Sequence, residues 1–260
     1  MRAGVRDGAR CRPRDGPNAS IVFVPAPFAA DAIVGAHAAG LGVVVAITEG
    51  IPIGDMVLVG CVVCLTPCRL IGPNCPGLIS PGRHQVGIRP GETCSPGPVG
   101  VISRSGTLTC EIADGLARAG LGQTTCVGVG GDPNLSTTVL DLLPLFDADA
   151  ERRAVVLTGE ICGSAEEDAA AFIAERMTKP VVDCIGGRAA PPGKRMGRTG
   201  TIVSGRMRTA QANVAALEAA GVADAEAPPK VSRLVAKALA ASAQGAEKCR
   251  DSLREEPTCT

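Results

Sequence analysis

Short apolar runs alternate with longer segments of helical length along the first third of the chain. The apolar runs contain no regular polar positions, which is typical of strands buried on both faces of a parallel sheet. The alternation of the two kinds of segment indicates an α/β fold. The pattern predicts a strand at 20–25, a helix at 28–40, a strand at 41–48, a helix at 51–63 and a strand running into a loop at 68–74.

A stretch rich in proline and glycine, residues 80–98, interrupts this alternation. Such a composition is typical of a loop, and we interpret it as a boundary between two domains. Strand and helix then alternate again at a spacing that builds right-handed crossovers in a doubly wound sheet. Ser164 followed by Glu167 predicts a capping box at one helix start. The strands are expected at 99–105, 124–130, 154–160 and 179–187, and the helices at 106–119, 136–146, 164–177, 209–221 and 230–242.

The two ends of the chain have a different character. The first 18 residues carry five arginines and show neither the helical nor the strand period of apolar residues, which predicts an unstructured lead-in. A mitochondrial transit peptide is a weak alternative, because such peptides are amphipathic and poor in acids. The last residues turn polar, and we expect the chain to fray there. The predicted organisation is a lead-in at 1–18, a first domain at 19–95, a second domain at 96–245 and a polar tail at 246–260.

Composition excludes several classes of function. The 26 basic and 26 acidic side chains balance, so no nucleic-acid partner is expected. Trp and Tyr are absent, and the two histidines, His37 and His84, are too few for a site built from three. No apolar stretch continues for about 18 residues, because Asp31 and Asp55 interrupt the candidates, so no membrane span is expected.

Twelve cysteines occur in a chain that is too long for a small disulfide-stapled domain, and no secretory signal is evident. We interpret them as reduced thiols of an intracellular protein that is not secreted. Cys61, Cys64, Cys68 and Cys75 have a spacing that could hold zinc or an iron–sulfur cluster. The alternative, favoured by the apolar residues around the first three, is that they are small core residues. No metal site is therefore predicted.

The loops that follow the strands are the candidate sites, because ligands bind at the carboxyl ends of parallel strands. The SRSGT run at 103–107 could bind an anion with its small residues and helix amides, or it could be an ordinary N-cap. Glu160 is either a functional carboxylate or a solvated loop residue. Lys194, Arg195 and Arg198 could hold phosphate or form a solvated basic loop. No glycine motif for nucleotides is present.

Eight sequence runs together resemble the alpha subunit of succinyl-CoA synthetase, also called succinate–CoA ligase. Within roughly residues 18 to 222 they are VPAPFAADAI, AITEGIPIGDM, LIGPNCPG, ISRSGTLT, GLGQTTCVGVGGDP, GEICGSAEEDAAAFI, KPVV and APPGKRMG. The resemblance implies a Rossmann-like CoA-binding domain followed by a flavodoxin-like ligase domain. In this family an ATP-grasp beta subunit binds ATP or GTP with Mg and phosphorylates a histidine of the alpha subunit. The phosphoryl group passes to succinate, and CoA then displaces phosphate to give succinyl-CoA.

The resemblance also implies roles for individual residues. Ser105 and Gly106 would hold phosphate at a helix N-terminus, and Glu160 would orient the phosphorylated histidine. CoA is a substrate in the family, and no cofactor is expected to bind to this chain alone. The contacts to CoA would come from three loops, through Pro25, Ile47, Thr48, Glu49, Asn74 and Cys75.

Four features depart from the family pattern. Arg198 occupies the position of the phosphorylated histidine, and a guanidinium has no lone pair with which to attack phosphorus. Cys110 occupies the position of a tyrosine that contacts succinate, and SGRMR at 204–208 replaces a glycine-rich run. The family's first strand and its glycine-rich turn for the CoA phosphates have no counterpart. We therefore expect an incomplete, N-terminally truncated CoA-binding domain.

These departures leave three hypotheses. The chain is a catalytic alpha subunit that works with a beta subunit, or an inactive paralogue that keeps the fold and the beta-subunit surface, or a CoA-responsive regulatory module. We expect Arg198 to form a charge pair with Glu160 if its loop folds as in the family. The bacterial cytoplasm and the mitochondrial matrix are both consistent with reduced cysteines.

Overall fold

Two sheets of mainly parallel strands organise the protein. The computed structural model describes residues 16–132, 134–160, 165–187, 195–196, 201–202 and 210–254. The helices are α1 (Ala26–Ala38), α2 (Ile53–Val63), α3 (Gly106–Arg118), α4 (Val139–Ala148), α5 (Ala165–Arg176), α6 (Ala210–Ala219) and α7 (Pro228–Arg254). The strands are β1 (Ala19–Val22), β2 (Val43–Ala46), β3 (Arg69–Ile71), β4 (Gly77–Ser80), β5 (His84–Gly87), β6 (Pro96–Ser103), β7 (Gln123–Gly128), β8 (Ala154–Thr158), β9 (Val181–Asp183), β10 (Arg195–Met196), β11 (Thr201–Ile202) and β12 (Ala223–Asp224).

The first sheet contains β1, β2 and β3, in that order and all parallel. Successive residues of a strand point to opposite faces. Val44, Ala46 and Leu70 accordingly pack in one core with α1 and α2. Val45 and Ile71 face the other way and join the core of the second sheet. Both faces are buried, which explains the unbroken apolar runs and confirms that part of the sequence prediction.

The second sheet has seven strands in the order β12-β9-β8-β6-β7-β4-β5. The pairs from β12 to β7 are parallel, whereas β4 is antiparallel to both of its neighbours. Helices α4, α5 and α6 pack on one face, and α3 and α7 pack on the other. This is the predicted doubly wound α/β arrangement. Together the two sheets give a Rossmann-like unit followed by a flavodoxin-like unit.

The prediction of a loop at 80–98 is wrong. β4 and β5 form a hairpin that pairs with β7, and β6 already begins at Pro96. Gly77 permits this hairpin, because its φ is +81° and a Cβ there would clash with the backbone of Val86 and Gly87. Within the stretch itself, Gly87 and Gly97 lie against the backbone of Pro76 and Leu121, so these two glycines serve close strand packing rather than a loop. The hairpin therefore belongs to the second sheet, although the sequence assigned residues up to 95 to the first domain.

Three further predictions concern the two ends of the chain and the capping box of one helix. α7 continues to Arg254, into the expected polar tail, because residues 243–254 are rich in helix-forming side chains. Residues 16–18 of the expected lead-in form no helix or strand, and residues 1–15 lie outside the described residues. Ser164 of the expected capping box also lies outside the described residues. The structure instead shows a capping box between Thr138 and Asp141 at the start of α4.

Candidate active site

The turn from β6 into α3 is fixed by Ser103. The Ser103 hydroxyl accepts a hydrogen bond from the Ser105 amide at 3.1 Å and donates one to the Ser105 carbonyl at 2.9 Å. Ser103 itself is fully buried. Helix α3 then begins at Gly106, with Ser105 as its N-cap residue. The small residues of the SRSGT run therefore place the helix start directly at the carboxyl end of β6.

The first turn of α3 is open to an anion. The side chain of Ser105 makes no capping hydrogen bond, so the ordinary N-cap alternative is not what the structure shows. A Cβ atom at Gly106 would have no neighbouring atom within 4 Å. The first amides of a helix lack intrahelical acceptors and lie at the positive end of its dipole. A phosphate or a carboxylate can approach these amides through the space beside Gly106.

Glu160 lies beside this helix start, two residues after β8 ends. The ends of the two strands are paired, Ser103 of β6 with Thr158 of β8, which brings the two loops together. Burial raises the pKa of Glu160, while the charge of Arg104 and the nearby Ser105 side chain act in the opposite direction. Glu160 is half-buried, so it is not a solvated loop residue. Glu160 thus lies in the loop beside the start of α3, and the roles that the resemblance implies for Ser105, Gly106 and Glu160 stay predictions.

A buried ion pair supports the Glu160 loop. The Nη1 atom of Arg104 lies 3.1 Å from Oε1 of Glu166, and the Glu166 side chain is only 2% exposed. The same Oε1 atom accepts a hydrogen bond from the Glu160 amide at 3.2 Å, and Asn213 Nδ2 lies 3.4 Å from Oε2. Burial raises the pKa of Glu166, and the charge of Arg104 opposes that rise.

Arg104, Glu166 and Asn213 were not predicted as site residues. Arg104 carried a signal, because it lies inside the SRSGT run. Glu166 was read as part of a helix start, and Asn213 lies in an ordinary helical pattern with no sign of its contact. Their roles depend on pairs 62 and 47 residues apart along the chain.

The basic loop cannot be added to this geometry. Lys194, Arg198 and the run at 204–208 lie outside the described residues, and only the backbone place of Arg195, in β10, is described. The expected pairing of Arg198 with Glu160 therefore stays a prediction.

The residues expected to contact CoA gather at the carboxyl edge of the first sheet. Thr48 Oγ1 donates a hydrogen bond to the Val24 carbonyl at 2.7 Å, and the Asn74 amide donates one to the Thr48 carbonyl at 3.0 Å. These two bonds tie together the loops after β1, β2 and β3. The other residues expected at this edge are the exposed Pro25 and Glu49 and the half-buried Ile47.

Cys75 lies in the same loop as Asn74 but its side chain turns inward. It is 4% exposed, and its Sγ lies 3.3 Å from the Ala46 carbonyl at the end of β2. Burial raises the pKa of the Cys75 thiol to about 12, so the thiol stays protonated. The buried sulfur therefore stabilises the loop from its inner side, where it contacts the end of β2.

One hydrogen bond links the two sheets at their carboxyl edges. Asn74 Nδ2 donates to Asp132 Oδ1 at 2.8 Å. Asp132 follows β7, whose last residue, Gly128, is paired with Ser103 at the end of β6. The proposed CoA edge is thus joined to the side of the second sheet on which α3 begins. Asp132 was not predicted from the sequence, although it lies in one of the family-like runs.

Cys110 lies on α3, one helical turn after Gly106 and on the same side of the helix. Its side chain is half-buried. The position that the resemblance assigns to a succinate-binding tyrosine is therefore on helix α3, whose N-terminus has no side-chain cap. A thiol there is shorter than a phenol and a weaker donor.

No site of another kind, such as a histidine or metal site, is formed by the described residues here. His37 is buried with Nε2 2.6 Å from Thr66 Oγ1, and His84 lies exposed in β5. In the described part of the chain, no group of three or more His, Cys, Asp or Glu side chains could hold a metal ion. None of the helices in these residues is both long and apolar enough to cross a membrane.

Two family models match the chain. The model described as a CoA binding domain matches residues 9–50, and the CoA-ligase model matches residues 102–223. The chain is 53% identical over 222 residues to the succinate–CoA ligase [ADP-forming] subunit alpha 2 of Archaeoglobus fulgidus. The matched region covers 85% of this chain and 77% of that relative. This chain belongs to the succinate–CoA ligase alpha subunit family. The first match begins inside the segment that was expected to be a lead-in.

Other relatives of this chain agree with the family assignment. The alpha subunit from Aquifex aeolicus is 50% identical over 226 residues, covering 86% of this chain and 74% of that one. The solved structure of ATP citrate lyase from Methanothrix soehngenii shares the fold with a TM-score of 0.77 at 21% identity. That likeness covers 85% of this chain and 39% of the lyase chain.

Proposed function

We propose that this chain works as the alpha subunit of a succinate–CoA ligase, in a reaction of succinate, CoA and phosphate. The start of α3 is the observation that carries this proposal. The Ser105 side chain makes no capping hydrogen bond, and a Cβ atom at Gly106 would have no neighbouring atom within 4 Å. Phosphate and the carboxylates of succinate are both anions that a helix N-terminus stabilises.

CoA is proposed to bind along the carboxyl edge of the first sheet. Hydrogen bonds of Thr48 and Asn74 hold the three loops together there. Pro25, Ile47 and Glu49 line the same edge. Cys75 contributes to the proposed CoA site through the position of its loop, because its sulfur is buried and does not face the ligand. Succinate is proposed to lie near Cys110, along α3 from the anion site.

The proposed partner is a beta subunit with an ATP-grasp fold that binds ATP or GTP with Mg. This assignment follows from the family, and it agrees with the lack of a nucleotide motif in this sequence. The eight cysteines whose side chains the structure describes are free thiols, which suits the bacterial cytoplasm or the mitochondrial matrix.

Co-expression with a family beta subunit tests this proposal. The two chains are expected to elute together in gel filtration, and calorimetry is expected to show CoA binding to the complex. Asn74→Ala removes the bond to Asp132 and is expected to weaken CoA binding by roughly tenfold, the value of a charge-assisted hydrogen bond. Asn18→Ala, the same change on the opposite edge of the sheet, is the control and should bind normally. Failure of the chains to co-elute, or unchanged CoA affinity of Asn74→Ala, contradicts the proposal.

A second candidate function is an alpha subunit that binds its partner and ligands but takes no part in phosphoryl transfer. Arg198 favours this candidate, because it stands at the position of the family's phosphorylated histidine and offers no lone pair. The two candidates differ in one result, the uptake of acid-labile phosphate by this chain from the nucleotide of the beta subunit.

A further inference from the structure

Two hydrogen bonds hold Asn74 at the junction of the two sheets. Its main-chain amide donates to the Thr48 carbonyl at 3.0 Å, and its side-chain Nδ2 donates to Asp132 Oδ1 at 2.8 Å. The φ of Asn74 is +51°, in the left-handed region that asparagine adopts more readily than most residues. Asn74 is thus fixed between the loop after β2 and the loop after β7, with its side chain bonded to the second of these loops.

The bond to Asp132 decides which end of the Asn74 amide is left for a ligand. An aspartate carboxylate only accepts hydrogen bonds, so the amide has to turn its NH2 end toward it. The carbonyl oxygen, Oδ1, then lies on the other side of the amide, and it makes no hydrogen bond with the described residues. Asn74 is half-buried, and Oδ1 is not one of the buried polar atoms of these residues. A ligand at this edge therefore meets an acceptor and not a donor.

The loop that carries Asn74 reaches toward the proposed anion site. Val129, in the same loop as Asp132, donates a main-chain hydrogen bond to the Ser103 carbonyl at 2.8 Å. Ser103 in turn fixes the turn at the start of α3 through its hydroxyl. In the proposed reaction the thiol of CoA has to reach this site, and the pantetheine arm carries the thiol. Asn74 is therefore placed to meet that arm rather than the nucleotide end of CoA.

A second hydrogen bond joins the same parts of the chain without involving Asn74. Thr137, like Asp132, lies between β7 and α4. Its Oγ1 atom donates to the Leu70 carbonyl at 2.6 Å, and the side chain is buried. The two bonds can be broken separately, which distinguishes a role in holding the loops together from a role in orienting the Asn74 amide.

We propose that Asp132 is a positioning residue of the proposed CoA site, which turns the carbonyl oxygen of Asn74 toward the pantetheine arm. Asn74 accepts a hydrogen bond from a donor of that arm, which offers amide N–H groups, a hydroxyl and a thiol. Asp132 does not touch CoA and acts through Asn74. This inference rests on the proposed function, because it takes CoA as the ligand.

Calorimetry on the complex with a beta subunit tests the inference with two ligands, CoA and its nucleotide part, phosphoadenosine diphosphate, which lacks the arm. Asp132→Ala frees the Asn74 amide to rotate, so the affinity for CoA is expected to fall about fivefold, the value of one hydrogen bond. The affinity for the nucleotide part is expected to stay at the wild-type value. An equal loss for both ligands overturns the inference, because the arm would then not be what Asn74 contacts.

Exchange of the two side chains makes the test specific. Asn74→Asp alone sets two carboxylates against each other and is expected to weaken CoA binding at least as much as Asp132→Ala. Asn74→Asp combined with Asp132→Asn restores the bond with donor and acceptor reversed, and an oxygen of residue 74 again faces the ligand. CoA affinity is expected to return to within about threefold of wild type. No recovery in the exchanged pair overturns the inference.

Thr137→Val is the matched control, because it removes the bond to the Leu70 carbonyl and leaves Asn74 and Asp132 in place. It is expected to lower the urea midpoint but to bind CoA normally. A loss of CoA affinity as large as that of Asp132→Ala would show that Asp132 only holds the loops together, and it overturns the inference. Unchanged CoA affinity in Asp132→Ala also overturns it and leaves the proposed function standing, whereas a wild-type complex that binds no CoA contradicts the proposed function itself. If Asp132→Ala does not fold, Asn74→Asp and the exchanged pair decide.

Discussion

The side chain of Ser105, the N-cap residue of α3, makes no capping hydrogen bond and lies near enough to the Glu160 carboxyl to oppose the rise that burial causes in its pKa. Serine at an N-cap position normally satisfies one of the first helical amides. Here the first amides of α3 lack that cap and are left to a ligand. The residue that looks like a cap in the sequence therefore does not act as one in the structure.

Ser105→Ala is expected to change the free energy of unfolding very little, because no capping bond is lost. Thr138→Ala is the matched control, since Thr138 accepts a hydrogen bond from the Asp141 amide at 3.3 Å in a true capping box. That control is expected to cost about 1 kcal/mol. Urea unfolding of both variants measures the difference. A loss for Ser105→Ala as large as that for Thr138→Ala would show that Ser105 is an ordinary cap.

The Arg104–Glu166 pair is expected to be strongly coupled. Arg104→Met alone leaves the Glu166 carboxyl buried without this partner, which costs about 3–5 kcal/mol, and Glu166→Leu costs less because the charge of Arg104 also acts on Glu160. The double variant leaves no unpaired charge, so it should lose clearly less than the sum of the single losses. Urea unfolding of the four proteins in a double-mutant cycle gives the coupling. Additive losses contradict the view that this ion pair supports the Glu160 loop.

Glu160 is expected to make stability depend on pH. Its pKa is raised in the folded protein, so the native state holds the proton more tightly than the unfolded chain does. The stability linked to this proton is complete below the ordinary carboxyl pKa and is lost as pH rises through the raised value. Glu160→Gln should therefore flatten the fall in unfolding free energy as pH rises above the ordinary carboxyl pKa. Glu218→Gln, on the exposed face of α6, is the control, and an equal slope in Glu160→Gln and wild type is the contrary result.

The sequence allowed the strands and helices of both sheets to be predicted, because continuous apolar runs and helical segments follow directly from burial on two faces. It failed at 80–98, where glycines that permit the close approach of β4 and β5 have the composition of a loop. It also placed Ser105, Gly106 and Glu160 at strand ends. It could not reveal the Arg104–Glu166 pair or the bond between Asn74 and Asp132, because residues 62 and 58 positions apart meet only through folding.

The central claim is that this chain pairs with a beta subunit as an alpha subunit of the family; in the second candidate function, Arg198 also prevents formation of the phosphorylated intermediate. The most direct measurement mixes the chain with a family beta subunit and radiolabelled ATP or GTP, and counts acid-labile phosphate on this chain after separation. Wild type is expected to co-elute with the beta subunit and carry no label, while Arg198→His, which supplies a neutral imidazole nitrogen, is expected to gain it. A wild-type chain that does not co-elute with the beta subunit would contradict the claim, and labelling at the level of an intact family alpha subunit would contradict the second candidate function.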